Sequence, residues 1–214
     1  MSSNLPIATG VAITHVSYAV DDLEAAAQSW AQAFGAGPFY VFERLSFDVL
    51  EYNGTSATWD HSVAFGQWGP IAVELQQTFA VSPSTLRDKL TPATPGIGHL
   101  AYTVKDPEAE NARLTNLGMR KFLFAKTGPA EETWHTAPWL GHAVEIHRKT
   151  EFADGFFANL RRTSENWSGK RPLRVGLLSV TSRALARCAP VAEWLRRRST
   201  DRIRAGGEPV AEVT

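Results

Sequence analysis

The chain is poor in the features that would commit it to a specialised class. A single cysteine, Cys188, among 214 residues excludes an internal disulfide framework and a cysteine-built zinc site. No apolar run approaches the roughly 18 residues that a membrane-crossing helix needs. The opening MSSNLPIATG has neither the basic stretch nor the apolar core of a secretory signal. A chain in a reducing, cytoplasmic setting is expected. Glycine-rich phosphate loops of the P-loop or dinucleotide type are also missing. Net charge is zero, with 22 Lys+Arg against 22 Asp+Glu. That balance hides an asymmetry, because residues 161–214 carry 12 basic against 5 acidic side chains. The last quarter is therefore a basic tail, and the body before it is acidic.

What the chain does have is a repeat. AITHVSYAVDD at residues 12–22 returns as GIGHLAYTVKD at residues 96–106. A shift of 84 places His15 on His99, Tyr18 on Tyr102, Asp22 on Asp106 and Glu24 on Glu108. Each copy alternates as a strand does. Val16, Tyr18 and Val20 point one way, and His15, Ser17 and Ala19 the other. Each strand runs into a helix, with Asp21 or Asp22 as cap and Gly35 as stop in the first copy. In the second copy Asp106 is the cap, Pro107 opens the first turn and Gly118 is the stop. A further echo joins AVELQ at residues 72–76 to AVEIH at residues 143–147. Each is a strand with a glutamate in an apolar run, Glu74 and Glu145.

The pattern predicts an α+β fold. Two βαβββ modules, about 12–80 and 96–150, form a cupped, mostly antiparallel sheet with helices on its outer face. Residues 1–11 are an N-terminal extension and residues 12–150 the paired domain. A C-terminal helix over 151–168 carries Phe152, Phe156, Phe157 and Leu160 on one side, and it packs on the body, on a partner or over the cup. Residues 169–214 form a basic tail, read as disorder or loose helix.

Two histidines and two glutamates on the open faces of strands are costly to bury unless a cation compensates them. Imidazole and carboxylate donors suit a divalent ion such as Zn, Ni, Co, Mn or Fe. With these residues the chain resembles the vicinal oxygen chelate superfamily, which includes glyoxalase I, methylmalonyl-CoA epimerase, extradiol dioxygenases and bleomycin-resistance proteins. The resemblance covers roughly residues 12–149. It implies a metal set of His15, Glu74, His99 and Glu145, spaced by 59, 25 and 46 residues. A full His/Glu/His/Glu set is similar to that of the isomerase and lyase members. Extradiol dioxygenases typically use two histidines and one glutamate, and the resistance-type binders have generally lost the set. Epimerases often carry glutamine where this chain has Glu74, which leans towards the glyoxalase type.

The function so implied is proton transfer beside a metal-polarised carbonyl, through an enolate or enediolate. Glu145 is the expected base and Glu74 its pseudo-symmetric counterpart. The alternatives are a non-catalytic binder of the same fold and an Fe(II) extradiol-type dioxygenase. Trp59, Phe65, Trp68, Phe124, Trp134, His135 and Trp139 are expected to line an apolar cavity. The expected partner is therefore a fairly hydrophobic small-molecule carbonyl substrate, with no nucleic acid and no membrane, and a homodimer is left open. Arg44, Lys121 and Lys126 are the basic residues that a carrier such as CoA or glutathione could use. His147 shares strand parity with Glu145 and so lines the cup or sits at its rim, whereas His142 has the opposite parity.

Overall fold

The computed structural model describes residues 11–91 and 96–175. Most of the N-terminal extension and of the basic tail lies outside the described residues. Among the described residues no helix is long and apolar enough to cross a membrane. The first repeat forms β1 (Ile13–Ala19), α1 (Leu23–Phe34), β2 (Phe39–Leu45), β3 (Val49–Tyr52), β4 (Thr55–Ser56), β5 (Thr58–Trp68) and β6 (Ile71–Ser82). A 3-10 turn over Ser84–Leu86 and the short α2 (Arg87–Leu90) lead towards the second repeat. That repeat forms β7 (Ile97–Val104), α3 (Pro107–Asn116), β8 (Arg120–Thr127), β9 (Ala130–Thr136) and β10 (Ala143–Arg148). Then follow α4 (Glu151–Ser164) and β11 (Leu173–Val175), so the tail begins with a short strand that pairs with β2.

The helices start and stop where their caps dictate. Asp22, in an extended conformation, accepts a hydrogen bond from the Ala25 N–H, and Gly35 closes α1 at φ 64°. Asp106 likewise accepts from the Ala109 N–H, with Pro107 as the first residue of α3. Leu23 and Ala27 of α1 are buried with Val16, Phe39, Val73 and Leu75. Leu114 of α3 is buried with Met119, Ala137 and Ile146.

Among the described residues all strands join one 11-stranded sheet, in the order β11-β2-β5-β6-β1-β7-β10-β9-β8-β3-β4. The first half thus supplies β2-β5-β6-β1 and the second β7-β10-β9-β8. The halves meet antiparallel along β1 and β7, where His15 faces Ala101 and Ser17 faces His99. This is the register of a pseudo-two-fold axis between the copies.

The hairpin β3–β4 breaks the simple module pattern. It follows β2 in the chain, yet it pairs with β8 at the far end of the sheet. Only residues 46–48 join β2 to β3, and three residues with their flanking bonds span at most about 14 Å. The sheet therefore curls until its two ends approach, which makes the cup. On its inner side Leu50 of the hairpin packs with Trp59, Phe122, Leu123 and Trp134. Gly66 on β5 is required by close approach, because a Cβ there would come within 2.8 Å of the Phe39 ring.

Candidate metal centre

Parallel pairing sets the site from both halves in the same way. On β1 and β6, Ser17 lies beside Glu74; on β7 and β10, Ala101 lies beside Glu145. The small residues at 17 and 101 leave room inside the cup for the neighbouring imidazoles. His15, Glu74, His99 and Glu145 are exposed by only 1, 7, 5 and 3 %. Four donor atoms converge. His15 Nε2 and His99 Nε2 are 3.2 Å apart. Glu145 Oε2 is 3.2 Å from the first and 2.9 Å from the second. Glu74 Oε2 is 3.7 and 3.1 Å from them.

Electrostatics shows why a cation suits this cluster. Burial opposes charge on every member, yet both carboxylates remain ionised. Burial pushes the Glu74 carboxyl up, but the hydrogen bond and charge of His99 outweigh it and hold it below its ordinary value. Burial likewise opposes charge on Glu145, where His147 and His99 prevail and hold it well below. Against burial, Glu145 and Glu74 raise His99 to about 9. His15 goes the other way, because burial outweighs its carboxylate neighbours and lowers it. Two buried anions thus draw protons onto neighbouring imidazoles, and a divalent ion satisfies the same demand.

The residues fit such an ion. His15, Glu74 and His99 place one ligand atom each within 4.8 Å of one another, as do His15, Glu145 and His147. Donors at about 2.0–2.2 Å from a shared ion lie about 3 Å apart when adjacent in an octahedron, close to the separations observed. Glu74 Oε2 and His147 Nε2 are sealed from solvent, and each has another member of the cluster 3.1 Å away, His99 Nε2 and Glu145 Oε2 respectively, so both face the place where a metal would sit.

Aromatic rings surround the cluster. Phe65 stands edge-on to His15 at 5.3 Å between centroids, and Phe157 of α4 stacks on His15 at 5.8 Å. Phe156 meets Phe65 at 5.2 Å and Phe42 at 6.0 Å. The C-terminal helix therefore packs over the cup. His61 stacks on Trp59 at 3.9 Å and on Phe47 at 5.4 Å between centroids, and burial pushes its imidazole down to about 4.

Of the seven expected lining residues, three face inward. Trp59 and Trp134 touch in the inner cluster, Trp134 stands 6.3 Å from His99, and Phe65 adjoins His15. The other four face elsewhere. Trp68 packs on Trp30 and Phe34 of α1, on the outer face. Phe124 pairs with Thr133, whose hydroxyl donates to Asn111 of α3, so it too faces outward. His135 follows Trp134 directly on β9 and must face the other side. Trp139 sits in the turn after β9 and is 72 % exposed. The basic residues have other company, with Arg44 paired to Asp60 over the Phe79 ring and Lys121 above Phe124. His142 bonds the Ala143 carbonyl through Nδ1. Glu132 and the pair Phe156–Phe157 are the site neighbours that sequence alone does not place.

The family model described as Glyoxalase/Bleomycin resistance protein/Dioxygenase superfamily matches residues 14–137, a span that includes His15, Glu74 and His99 and stops short of Glu145. Among solved structures, methylmalonyl-CoA epimerase from Mycobacterium tuberculosis is similar at a TM-score of 0.47 and 20 % identity, covering 70 % of this chain and 97 % of that one. A hypothetical protein from Bacillus halodurans C-125 gives 0.45 and 15 %, covering 67 and 97 %. A methylmalonyl-CoA epimerase in complex with methylmalonyl-CoA and NH4+ gives 0.41 and 18 %, covering 66 and 96 %. No curated protein matches the chain. Matched by that family model over more than half its length, the chain belongs to the Glyoxalase/Bleomycin resistance protein/Dioxygenase superfamily, also called the vicinal oxygen chelate superfamily.

Proposed function

We propose that the chain is a divalent-metal-dependent isomerase or lyase that moves a proton beside the carbonyl of a fairly hydrophobic substrate. The observation that carries this reading is the convergence of one imidazole and one carboxylate from each half, with His15 and His99 Nε2 at 3.2 Å and Glu145 Oε2 within 3.2 Å of both. His15, Glu74, His99 and Glu145 would hold the ion. When bound, the ion supplies Lewis-acid polarisation of the carbonyl.

The chain's own groups do the rest. The Glu145 carboxylate, kept ionised by His147 and His99 against its burial, takes the proton from the carbon next to the carbonyl. Glu74, its counterpart from the other half, faces the same space and serves as the second proton carrier. Phe65, Phe156 and Phe157 exclude water and offer an apolar wall to the substrate. That wall supports a hydrophobic carbonyl compound, an allylic ketone included, over a charged carrier thioester.

Elemental analysis of the purified full-length protein tests the first half of this reading, with about one divalent ion per chain expected. A panel of carbonyl compounds incubated in D₂O tests the second. Solvent deuterium should enter the α-position with the wild type, and Glu145→Gln should slow this by about 10²–10⁴-fold. A metal-free protein whose ligand binding is indifferent to Glu145→Gln would be a non-catalytic binder. Oxygen uptake with catechols after anaerobic Fe(II) loading would make it a dioxygenase.

A further inference from the structure

His147 lies beside the cluster with its side chain 14 % exposed, and the family set does not use it. It follows Glu145 by two residues on β10, so both side chains face the cup. Its Nε2 lies 3.1 Å from Glu145 Oε2, the separation seen between the other donors, and its ring centroid is 5.4 Å from that of His15. Nε2 is sealed from solvent and faces that carboxylate oxygen of the cluster. Nδ1, on the opposite side of the ring, faces Glu132 Oε1 at 3.3 Å. Glu132 lies directly across from His147 in the β9–β10 register. A carboxylate behind one ring nitrogen, with the other nitrogen turned towards the donors, is how metal-ligating histidines are oriented.

The first half shows that the pseudo-symmetry does not require this residue. The equivalent position, two after Glu74, is Gln76, and its amide is spent on the Leu90 carbonyl. The imidazole is therefore an addition made only in the second half.

We propose that His147 is a third imidazole ligand of the ion, oriented by Glu132, so that the centre is a three-histidine, two-glutamate set. The inference rests on the metal-centre reading above. Its consequence is specificity. Five protein donors leave an octahedral ion one open position, so the substrate presents a single oxygen to it rather than a pair of neighbouring ones.

The test uses the full-length chain loaded with Co²⁺. Proton NMR of a Co²⁺ protein shows one strongly shifted, solvent-exchangeable N–H signal for each histidine ligand. Three such signals are expected in the wild type, a count that needs no variant. His147→Leu should remove one of the three and weaken Co²⁺ binding, measured by chelator competition, about 10–100-fold. Glu132→Gln should keep three signals and weaken binding within the same range. Two signals in the wild type, with Co²⁺ affinity unchanged in His147→Leu while His99→Leu abolishes binding, would overturn the proposal and leave the metal reading standing. A wild-type protein that takes up no Co²⁺ or Zn²⁺ at all would overturn both.

Discussion

His15 and His99, 84 residues apart in the chain, bring their Nε2 atoms to 3.2 Å across the antiparallel seam of β1 and β7. Glu145 reaches His15 at 3.2 Å and Glu74 reaches His99 at 3.1 Å across the same seam. An ion held there by donors from both halves clamps the seam, and it binds the folded chain in preference to the unfolded one.

Metal removal should therefore lower thermal stability. At a free ion concentration 100 times Kd the gain is about 2.7 kcal/mol, or roughly 5–10 °C in Tm for a domain of this size. Calorimetry with and without a chelator measures it. His99→Leu should melt at one temperature under both conditions, and a wild type indifferent to the chelator would count against the site.

Phe157 should act as cover rather than core. Its ring stacks on His15, but it is only half-buried, whereas Phe39 is fully buried. Phe39→Ala should cost about 3–5 kcal/mol in urea unfolding, and Phe157→Ala clearly less. Phe157→Ala should also raise the rate at which diethyl pyrocarbonate modifies His15, followed by peptide mapping. An unchanged rate would mean that α4 does not shield the cluster.

The acid limb of stability should depend on His135. Its imidazole is fully buried, and both ring nitrogens lack a partner among the described residues. Burial, aided by Lys121 and opposed by Glu110, pushes it from 6.5 down to about 4. The unfolded chain therefore takes up this proton first. Stability is unaffected above pH 6.5 and falls as the pH drops from 6.5 towards 4, by up to about 1.4 kcal/mol per pH unit for this group. His135→Gln should make the slope shallower by one proton in urea titrations over that window. An unchanged slope would show that His135 does not govern it.

The N-cap Asp106 offers a control away from the site. Its carboxylate accepts from the Ala109 N–H at 2.9 Å, and Asp106→Ala should cost about 1 kcal/mol. Co²⁺ affinity should be unaltered. A large loss of affinity would mean that α3 positions the cluster, contrary to the strand-based account.

Much of this molecule is legible before any coordinate is seen, because the repeat states each signal twice. A strand with a histidine on its small-residue face is weak evidence at His15 alone; its match at His99, with the same cap downstream, fixes strand, helix and facing together. The glutamates are legible for the same reason, and the structure brings all four side chains to one place. Less local features are not legible. No property of residues 49–56 says that the hairpin crosses to β8, since an edge strand's partner is chosen by tertiary packing. The apolar lining is legible only for Trp59, Phe65 and Trp134, for a simpler reason. Trp134 and His135 are neighbours on one strand and cannot both face the cup. Large aromatic residues are as much at home under a helix, like Trp68, as inside a cavity. Glu132 carries no signal of its own until the β9–β10 register sets it opposite His147.

The shared seam also says what one half could do alone. A chain ending before residue 96 would own one such histidine and one such glutamate, and it would leave β1 with an unpaired edge. Only a second copy could complete four donors and cover that edge, so binding would rise and fall with protein concentration. Joining the halves in one chain replaces that dependence with a fixed effective concentration set by the connecting segment, on the order of millimolar for a short flexible tether. The ion then meets a finished site at any dilution.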